Sequence, residues 1–137
     1  MTQPEIHSFP VEVRFSDVDS MGHVNNAVYF TYFEEGRKHL FFKTLASGEK
    51  ARFDFILAKA TCDYRLPIML EDRVILEIWV GNVGGKSFTF NYKIRDAGEA
   101  ARIFATGETV MVAYDYETGK SIQIPDGMRA VLSGQQR

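Results

Sequence analysis

The spacing of apolar residues changes along this chain from alternation to a helical period and back to alternation. Val11, Val13 and Phe15 alternate with polar residues, which predicts a half-buried strand near the start. Over about residues 26–45 the apolar positions recur at helical spacing. Those on one face of this predicted helix are Tyr29, Tyr32, Phe33, Gly36 and Leu40. We therefore expect one strand followed by one long amphipathic helix.

The opposite face of the predicted helix is polar and carries Glu34, Glu35, Arg37 and Lys38. Gly36 falls inside the apolar face, although a glycine in a helix interior costs roughly 1 kcal/mol relative to alanine. Close approach of a sheet to that face would account for this glycine.

Beyond Gly48 the pattern becomes alternating and remains so. Strands are predicted near residues 54–65, 72–83, 86–96 and 101–115, and turns at 82–85, 96–98 and 117–119. Gly107 lies inside a strand-like run, which suggests a bulge. The residues from about Leu132 are small and polar, and we expect them to fray.

One strand, one long apolar helix and four antiparallel strands describe an α+β fold. A lone helix with so much apolar surface must be wrapped by the sheet. The chain has 137 residues and contains no repeats or linkers, so one domain is expected over residues 1–137.

Composition excludes several classes of function. A net charge of −2 lacks the basic surplus typical of nucleic-acid binding, and no apolar run approaches the ~20 residues of a membrane span. A single cysteine, Cys62, excludes an intrachain disulfide and fits a reducing compartment. We expect Cys62 to pack as a small apolar side chain. The first residues lack a signal-peptide pattern, so the cytoplasm is the expected location, with no membrane or nucleic-acid partner.

The chemistry is concentrated between residues 15 and 37. The N-terminus of a helix carries partial positive charge and unpaired N–H groups, so it can hold a developing oxyanion. A carboxylate a few residues upstream can lie beside such a site, which is the minimum needed to attack a carbonyl or thioester. The polar residues that precede the helix are Asp17, Asp19, Gly22, His23, Asn25 and Asn26.

This ordered string resembles the hotdog-fold acyl-CoA thioesterases of the 4-hydroxybenzoyl-CoA thioesterase-like family. The family pattern is an Asp-x-Asp strand end, a glycine, a short polar run and a helix bearing Tyr and Glu. The matching residues are Asp17-Val18-Asp19, Gly22-His23-Val24-Asn25-Asn26, Tyr29 and Glu34 or Glu35. The resemblance extends more weakly to a strand that begins Lys86-Ser87-Phe88 and to the ending at residues 110–125.

The resemblance implies a fold and an assembly. A curved antiparallel sheet of about five strands is expected to wrap around one long central helix. In that family two sheets join edge to edge, so a homodimer or homotetramer with an interfacial active site is expected, and acyl-CoA is the expected substrate.

The resemblance also implies roles for individual residues. Asp19 corresponds to the catalytic carboxylate, and the backbone N–H of Asn26 to the oxyanion donor. Asp17 is the structural partner that bonds the turn. Lys86 and Ser87 lie where the family has basic and hydroxyl residues near the coenzyme A arm. The other expected substrate-binding residues are Gly22, His23, Asn25, Tyr29 and Glu35.

His23 by itself invites a metal or general-base interpretation. His7 and His39 are isolated, and no second histidine or cysteine lies at ligand spacing, so no metal is expected. No cofactor is expected either, because coenzyme A is part of the substrate.

Two alternatives to hydrolysis remain open. A hydratase or dehydratase on the same fold would use an Asp/His pair, which Asp19 and His23 superficially supply. A non-catalytic acyl-CoA-binding module is the third hypothesis, and an intact Asp19 argues modestly against it.

Overall fold

The computed structural model describes residues 3–41 and 55–136. Within them, six strands form one antiparallel sheet in the order β1-β3-β4-β5-β2, with β6 paired to β5. The strands are β1 (His7–Val11), β2 (Phe55–Tyr64), β3 (Val74–Val83), β4 (Ser87–Asp96), β5 (Ile103–Asp115) and β6 (Lys120–Ser121), and the helices are α1 (Val28–Leu40) and α2 (Asp126–Gly134). The α+β class and the four strands predicted after the helix are confirmed, the strands to within two residues at each described end.

The inner face of the sheet is apolar because strand residues alternate between its two sides. On β4 the side chains of Phe88, Phe90, Tyr92 and Ile94 are buried, and their neighbours in sequence are half-buried. The hairpin register places Leu76 of β3 opposite Ile94. This face forms the floor on which α1 lies.

Helix α1 packs on that floor through the face that the sequence predicts: its buried residues are Tyr29, Tyr32, Phe33, Gly36 and Leu40. The ring of Phe33 stacks on Tyr92 with centroids 4.3 Å apart. A Cβ at Gly36 would overlap the side chain of Leu76, so close approach of the sheet is confirmed as the reason for this glycine. The predicted helix residues 42–45 lie outside the described residues. Neither described helix is long and apolar enough to cross a membrane.

The predicted position of the first strand is wrong. Strand β1 ends at Val11, and the chain then leaves the sheet and forms a short 3₁₀ turn at Phe15–Asp17. Phe15 is 83% exposed although its spacing suggested an inward position. The turn forms because the Asp17 carboxylate accepts bonds from both the backbone N–H and the guanidinium of Arg14.

The bulge predicted at Gly107 is also wrong. Gly107 pairs in regular register with Cys62 on one side and Tyr92 on the other. A Cβ at this position would lie 2.5 Å from ring atoms of Phe33 and 2.8 Å from the carbonyl oxygen of Thr61. The glycine therefore makes room for the aromatic side chain of α1.

Residues 132–136 are docked rather than frayed, which contradicts the prediction for the residues from Leu132. Helix α2 buries Met128 and Leu132. Beyond it, the side chain of Gln135 bonds His7 at 2.7 Å, and the amide of Gln136 donates to the carbonyl of Gly81. These contacts tie the last residues to β1 and β3.

Candidate active site

Asp17 anchors the loop between β1 and α1 from inside the protein. Its carboxylate is 2% exposed. Oδ2 accepts hydrogen bonds from the Arg14 N–H and the Tyr32 hydroxyl, both at 2.9 Å. Oδ1 accepts from Arg14 Nη2 at 2.8 Å and Nε at 3.2 Å. Both oxygens are therefore occupied, which matches the structural role expected of Asp17.

These bonds keep Asp17 ionised. Burial by itself raises the pKa of the carboxyl group, but the hydrogen bonds from Arg14 and Tyr32 outweigh it, so the pKa of Asp17 lies below its usual value. Burial and the same carboxylate raise the pKa of Tyr32, which remains a donor.

Asp19 lies two residues later in a tight turn and is half-buried. Its backbone N–H donates to the carbonyl of His23 at 3.1 Å, and its own carbonyl accepts from Gly22 at 3.0 Å. Gly22 has φ +87°, and a Cβ there would meet no atom within 4 Å. The backbone conformation is therefore the reason for this glycine, as the sequence suggested.

The carboxylate of Asp19 is held by two donors and still reaches solvent. Oδ1 accepts the N–H of Met21 at 2.9 Å, and Oδ2 accepts Nδ2 of Asn25 at 3.3 Å. The second contact is long and exposed, so Oδ2 keeps capacity for another partner. This oxygen is the part of the Asp19 carboxylate that the loop leaves open to a further contact.

Asn25 connects Asp19 with the start of α1. Its side-chain Oδ1 accepts the N–H of Ala27 at 2.9 Å, and its carbonyl accepts the N–H of Val28 at 3.0 Å. Its own N–H donates to the carbonyl of Asp17 at 2.9 Å. Asn25 therefore holds the turn that leads into α1, whose N-cap residue is Ala27.

The next residue, Asn26, offers a free donor. Among the described residues no acceptor is recorded for its backbone N–H, and the residue is exposed. Its carbonyl accepts a 2.7 Å hydrogen bond from the hydroxyl of Tyr64, at the end of β2. The N–H that the resemblance assigns to the oxyanion is thus available.

A cavity of about 220 Å³ opens beside this donor. The rings of Tyr29 and Tyr64 meet edge to face with centroids 4.8 Å apart and form part of its wall. The wall is mainly aromatic and apolar, with three polar or charged side chains. Its lining residues are His23, Asn26, Tyr29, Tyr64, Arg65, Leu66 and Pro67.

His23 is half-buried, and its backbone forms a bridge with Met69. No hydrogen bond joins its ring to the Asp19 carboxylate in residues 3–41 and 55–136. In the same residues no group of three or more potential metal-ligating side chains occurs. His7 bonds Gln135, and His39 stacks on Phe9. The position of His23 suits a wall of the cavity.

The remaining predicted site residues lie elsewhere. Glu35 is exposed on α1, where its charge acts on Arg14. Lys86 is exposed in the turn before β4, and Ser87 begins that strand. Ser87 begins β4, and Ile94 lies near the other end of that strand. Ala105 pairs with both Ile94 and Tyr64, so this other end of β4 lies at the Tyr64 end of the sheet. Seven residues of strand span roughly 20 Å, so Lys86 and Ser87 are far from Asp19 in the same chain.

The thiol of Cys62 is not a second nucleophile. Cys62 is half-buried and packs against the core, and burial raises its pKa to about 11. The thiol is therefore protonated near neutral pH. This outcome agrees with the packing role expected from the sequence.

Sequence analysis did not identify Arg14, Tyr32 and Tyr64 as parts of the site. Arg14 lies three residues before Asp17, and this turn-like spacing of opposite charges could have indicated their ion pair. The helical pattern correctly places Tyr32 on the core face, but it does not reveal the partner of the hydroxyl. Tyr64 is separated from Asn26 by 38 residues, and no local pattern connects them.

Comparison with known proteins identifies relatives. The sequence pattern of the thioesterase-like superfamily matches residues 13–132. The uncharacterized protein YsmA of Bacillus subtilis (strain 168) is 34% identical over 122 residues, which are 89% of this chain and 82% of that protein. The acyl-CoA thioesterase YbgC of Haemophilus influenzae is 30% identical over 91 residues, 64% of this chain and 67% of that protein.

A solved structure with similar fold and sequence adds to these relatives. It is a thioesterase from Thermus thermophilus complexed with coenzyme A and zinc, and it is 27% identical with a TM-score of 0.81. The superposition covers 94% of this chain and 92% of that one.

Proposed function

The chain belongs to the thioesterase-like superfamily and has its hotdog fold, and we propose that it hydrolyses acyl-CoA thioesters to free acid and coenzyme A. The similarity to YbgC, named an acyl-CoA thioesterase, and to a thioesterase complexed with coenzyme A supports this choice of substrate.

One observation carries the proposal: Asn25 joins a solvent-accessible carboxylate to a free backbone donor. Its side-chain amide donates to Asp19 Oδ2, and its carbonyl carbon is bonded to the nitrogen of Asn26. A thioester carbonyl between these groups would meet a nucleophile or base on one side and an oxyanion donor on the other. That arrangement is what acyl transfer requires.

In the proposed reaction the carbonyl carbon becomes tetrahedral and its oxygen becomes an oxyanion. The N–H of Asn26 and the positive end of α1 stabilise that charge, and the coenzyme A thiolate leaves as the carbonyl re-forms. Asp19 acts by one of two routes. It attacks directly and forms an anhydride that water opens, or it removes a proton from the attacking water.

Isotope labelling distinguishes the two routes. A single turnover is run in oxygen-18 water with enzyme in excess, and the peptide containing Asp19 is analysed by mass spectrometry. Label in Asp19 requires the covalent anhydride. Label confined to the released acid in that turnover shows that water attacked the substrate carbonyl, as the general-base route requires.

We also propose that the protein is at least a dimer, joined through β2. This strand is ten residues long and forms one edge of the sheet, with β5 on its inner side. Leu57 and Tyr64 on it are 48% and 44% exposed. A long apolar edge strand readily pairs with another chain. The opposite edge, β1, is five residues long and contains Pro10, which disfavours pairing.

A two-fold axis beside β2 would bring Lys86 and Ser87 of one chain towards the Asp19 site of the other. Two copies of one edge strand related by a two-fold axis across the sheet are antiparallel. The far end of one sheet then lies beside the Asp19 end of the other. Lys86 of the partner subunit would thus approach the Asp19 site, whereas Lys86 of the same chain lies far from it. This geometry supports a coenzyme A site built from two chains. We further propose that Glu35, which is exposed on α1, meets the partner subunit.

No cofactor is needed for the proposed hydrolysis, which consumes only the thioester and water. Treatment with a strong chelator followed by dialysis should leave the rate of thiol release unchanged. Loss of activity that zinc restores would contradict this part of the proposal.

The decisive experiment is a thiol-release assay over short, medium, long and aromatic acyl-CoAs, with Asp19→Asn as the matched variant. Thiol release that depends on Asp19 supports the thioesterase proposal. Loss of the 2-enoyl-CoA ultraviolet absorbance without thiol release would indicate a hydratase instead. Tight coenzyme A binding with no turnover of any substrate would indicate a binding module.

A further inference from the structure

Tyr64 makes one polar contact that packing does not require. Its hydroxyl donates a 2.7 Å hydrogen bond to the carbonyl of Asn26, across 38 residues of sequence. Its ring is already held edge-on against Tyr29, with centroids 4.8 Å apart. The contact with Tyr29 therefore positions the ring, and the hydrogen bond links the hydroxyl to the Asn26 carbonyl.

This bond completes the immobilisation of the peptide that begins α1. The carbonyl of Asn26 and the N–H of Ala27 share one planar peptide group. Tyr64 holds the carbonyl side, and Oδ1 of Asn25 holds the N–H side at 2.9 Å. A planar group bonded at both ends cannot rotate without breaking one of the bonds.

The preceding peptide group is held on one side only. Its carbonyl, that of Asn25, accepts the N–H of Val28 at 3.0 Å, and its N–H, that of Asn26, has no recorded acceptor in the described residues. The direction of this free N–H depends on the two peptide groups around it. Of the hydrogen bonds to these peptide groups, the one from the Tyr64 hydroxyl comes from outside the loop and α1.

We infer that Tyr64 is a positioning residue that aims the Asn26 N–H at the reacting carbonyl, an inference that rests on the proposed thioesterase function. A preorganised donor stabilises a developing oxyanion because its dipole does not have to reorient during the reaction. A donor displaced by a fraction of an ångström loses part of that effect. Tyr64 thus acts on catalysis through Asn26 and not by proton transfer.

The chemistry of Tyr64 fits a permanent donor. Burial raises the pKa of its hydroxyl to about 12, so the hydroxyl keeps its proton near neutral pH. The residue is 44% exposed, so removing the hydroxyl leaves no deeply buried polar group unsatisfied.

The test compares Tyr64→Phe with Tyr116→Phe. The Tyr116 hydroxyl also donates to a backbone carbonyl, that of Phe55 at 3.3 Å, but at the other end of β2. Tyr64→Phe should lower kcat about tenfold while KM stays within about twofold, because only transition-state stabilisation is lost. Its melting temperature should fall by no more than the loss of one exposed hydrogen bond allows, and its affinity for free coenzyme A should match wild type. Tyr116→Phe should leave kcat and KM unchanged.

The outcomes separate this inference from the proposed function. Wild-type kcat in Tyr64→Phe overturns the positioning role and leaves the thioesterase proposal intact. A rise in KM with unchanged kcat overturns it in favour of a ground-state contact with substrate. A loss of the alkaline limb of the pH–rate profile overturns it in favour of proton transfer by Tyr64. If wild-type protein releases no thiol from any acyl-CoA, the proposed function fails and this inference fails with it.

Discussion

The hydroxyl of Tyr32 donates a 2.9 Å hydrogen bond to Oδ2 of Asp17, and this bond joins the buried face of α1 to the turn that carries Asp19. Both residues are almost fully buried, at 1% and 2% exposure. Asp17 also accepts the N–H of Asn25 at its backbone carbonyl. The packed core therefore positions both the candidate carboxylate and the first turn of the helix.

Removing this link should destabilise the protein more than it changes the chemistry. Asp17→Asn replaces a buried carboxylate that pairs with Arg14 and should reduce the free energy of unfolding by about 2–4 kcal/mol. Tyr32→Phe removes one donor to the carboxylate and should cost about 1–2 kcal/mol. Urea denaturation measures both changes. An Asp17→Asn variant as stable as wild type would show that the ion pair between Asp17 and the largely exposed Arg14 contributes nothing.

The contribution of Asp17 should depend on pH with a defined sign. Its pKa is lower in the folded protein than the reference value of 3.8. Below about pH 3.8 the unfolded chain binds a proton that the folded protein does not yet bind, so stability falls as pH drops towards the lower folded pKa. The difference in unfolding free energy between wild type and Asp17→Asn should stay constant above about pH 5 and shrink below about pH 4. A difference that instead grew below pH 4 would contradict the assignment.

Asp19→Asn should abolish most thiol release while preserving the fold. The amide keeps the size of the carboxylate but can neither attack a thioester nor accept a proton. Loss of a general base typically costs ~10²–10⁴-fold in rate, or roughly 3–5 kcal/mol in barrier, and loss of a nucleophile costs more. Asp17→Asn is the control and should have a smaller rate effect at a temperature where it is folded. Wild-type turnover by Asp19→Asn would redirect the search to Asp17, Glu34 and Glu35.

Lys86→Ala tests coenzyme recognition. If Lys86 contacts a nucleotide phosphate, KM should rise about two- to fivefold with little change in kcat, because the contact is similar in ground and transition states. The effect should shrink as salt rises, since the contact is partly exposed. Lys93→Ala, on a strand-centre lysine near Glu77, is the matched control. Equal KM for wild type and Lys86→Ala at low salt would indicate that Lys86 is an ordinary surface residue with no part in coenzyme recognition.

The edge-strand dimer can be tested by placing a charge on β2. Leu57→Lys should raise the dimer dissociation constant on the order of tenfold or more and lower activity in parallel, because a lysine at an exposed edge opposes strand pairing. Ile6→Lys, beside β1 at the other edge and 50% exposed, should change neither. Light scattering at micromolar concentration measures the mass. A fully active wild-type monomer would contradict both the dimer and the shared site.

The sequence alone determined the features that depend on local periodicity. The buried face of α1 follows from the 3.6-residue repeat, and the four later strands follow from alternation, because burial of one face selects the same positions wherever the element packs. The order of Asp19, Gly22, Asn25 and Asn26 before the helix also identified the candidate site. A tight turn followed by a helix brings such residues together without help from distant parts of the chain.

Only the tertiary structure decided the relationships between elements. Phe33 explains Gly107, which no strand pattern could reveal, and Gln135 ties the last residues to His7. Tyr64 reaches Asn26 because β2 ends beside the start of α1. These contacts join residues far apart in sequence, so their formation depends on how the helix lies on the sheet. Periodicity identifies which face of an element is buried, but only the packed arrangement determines which residue it meets.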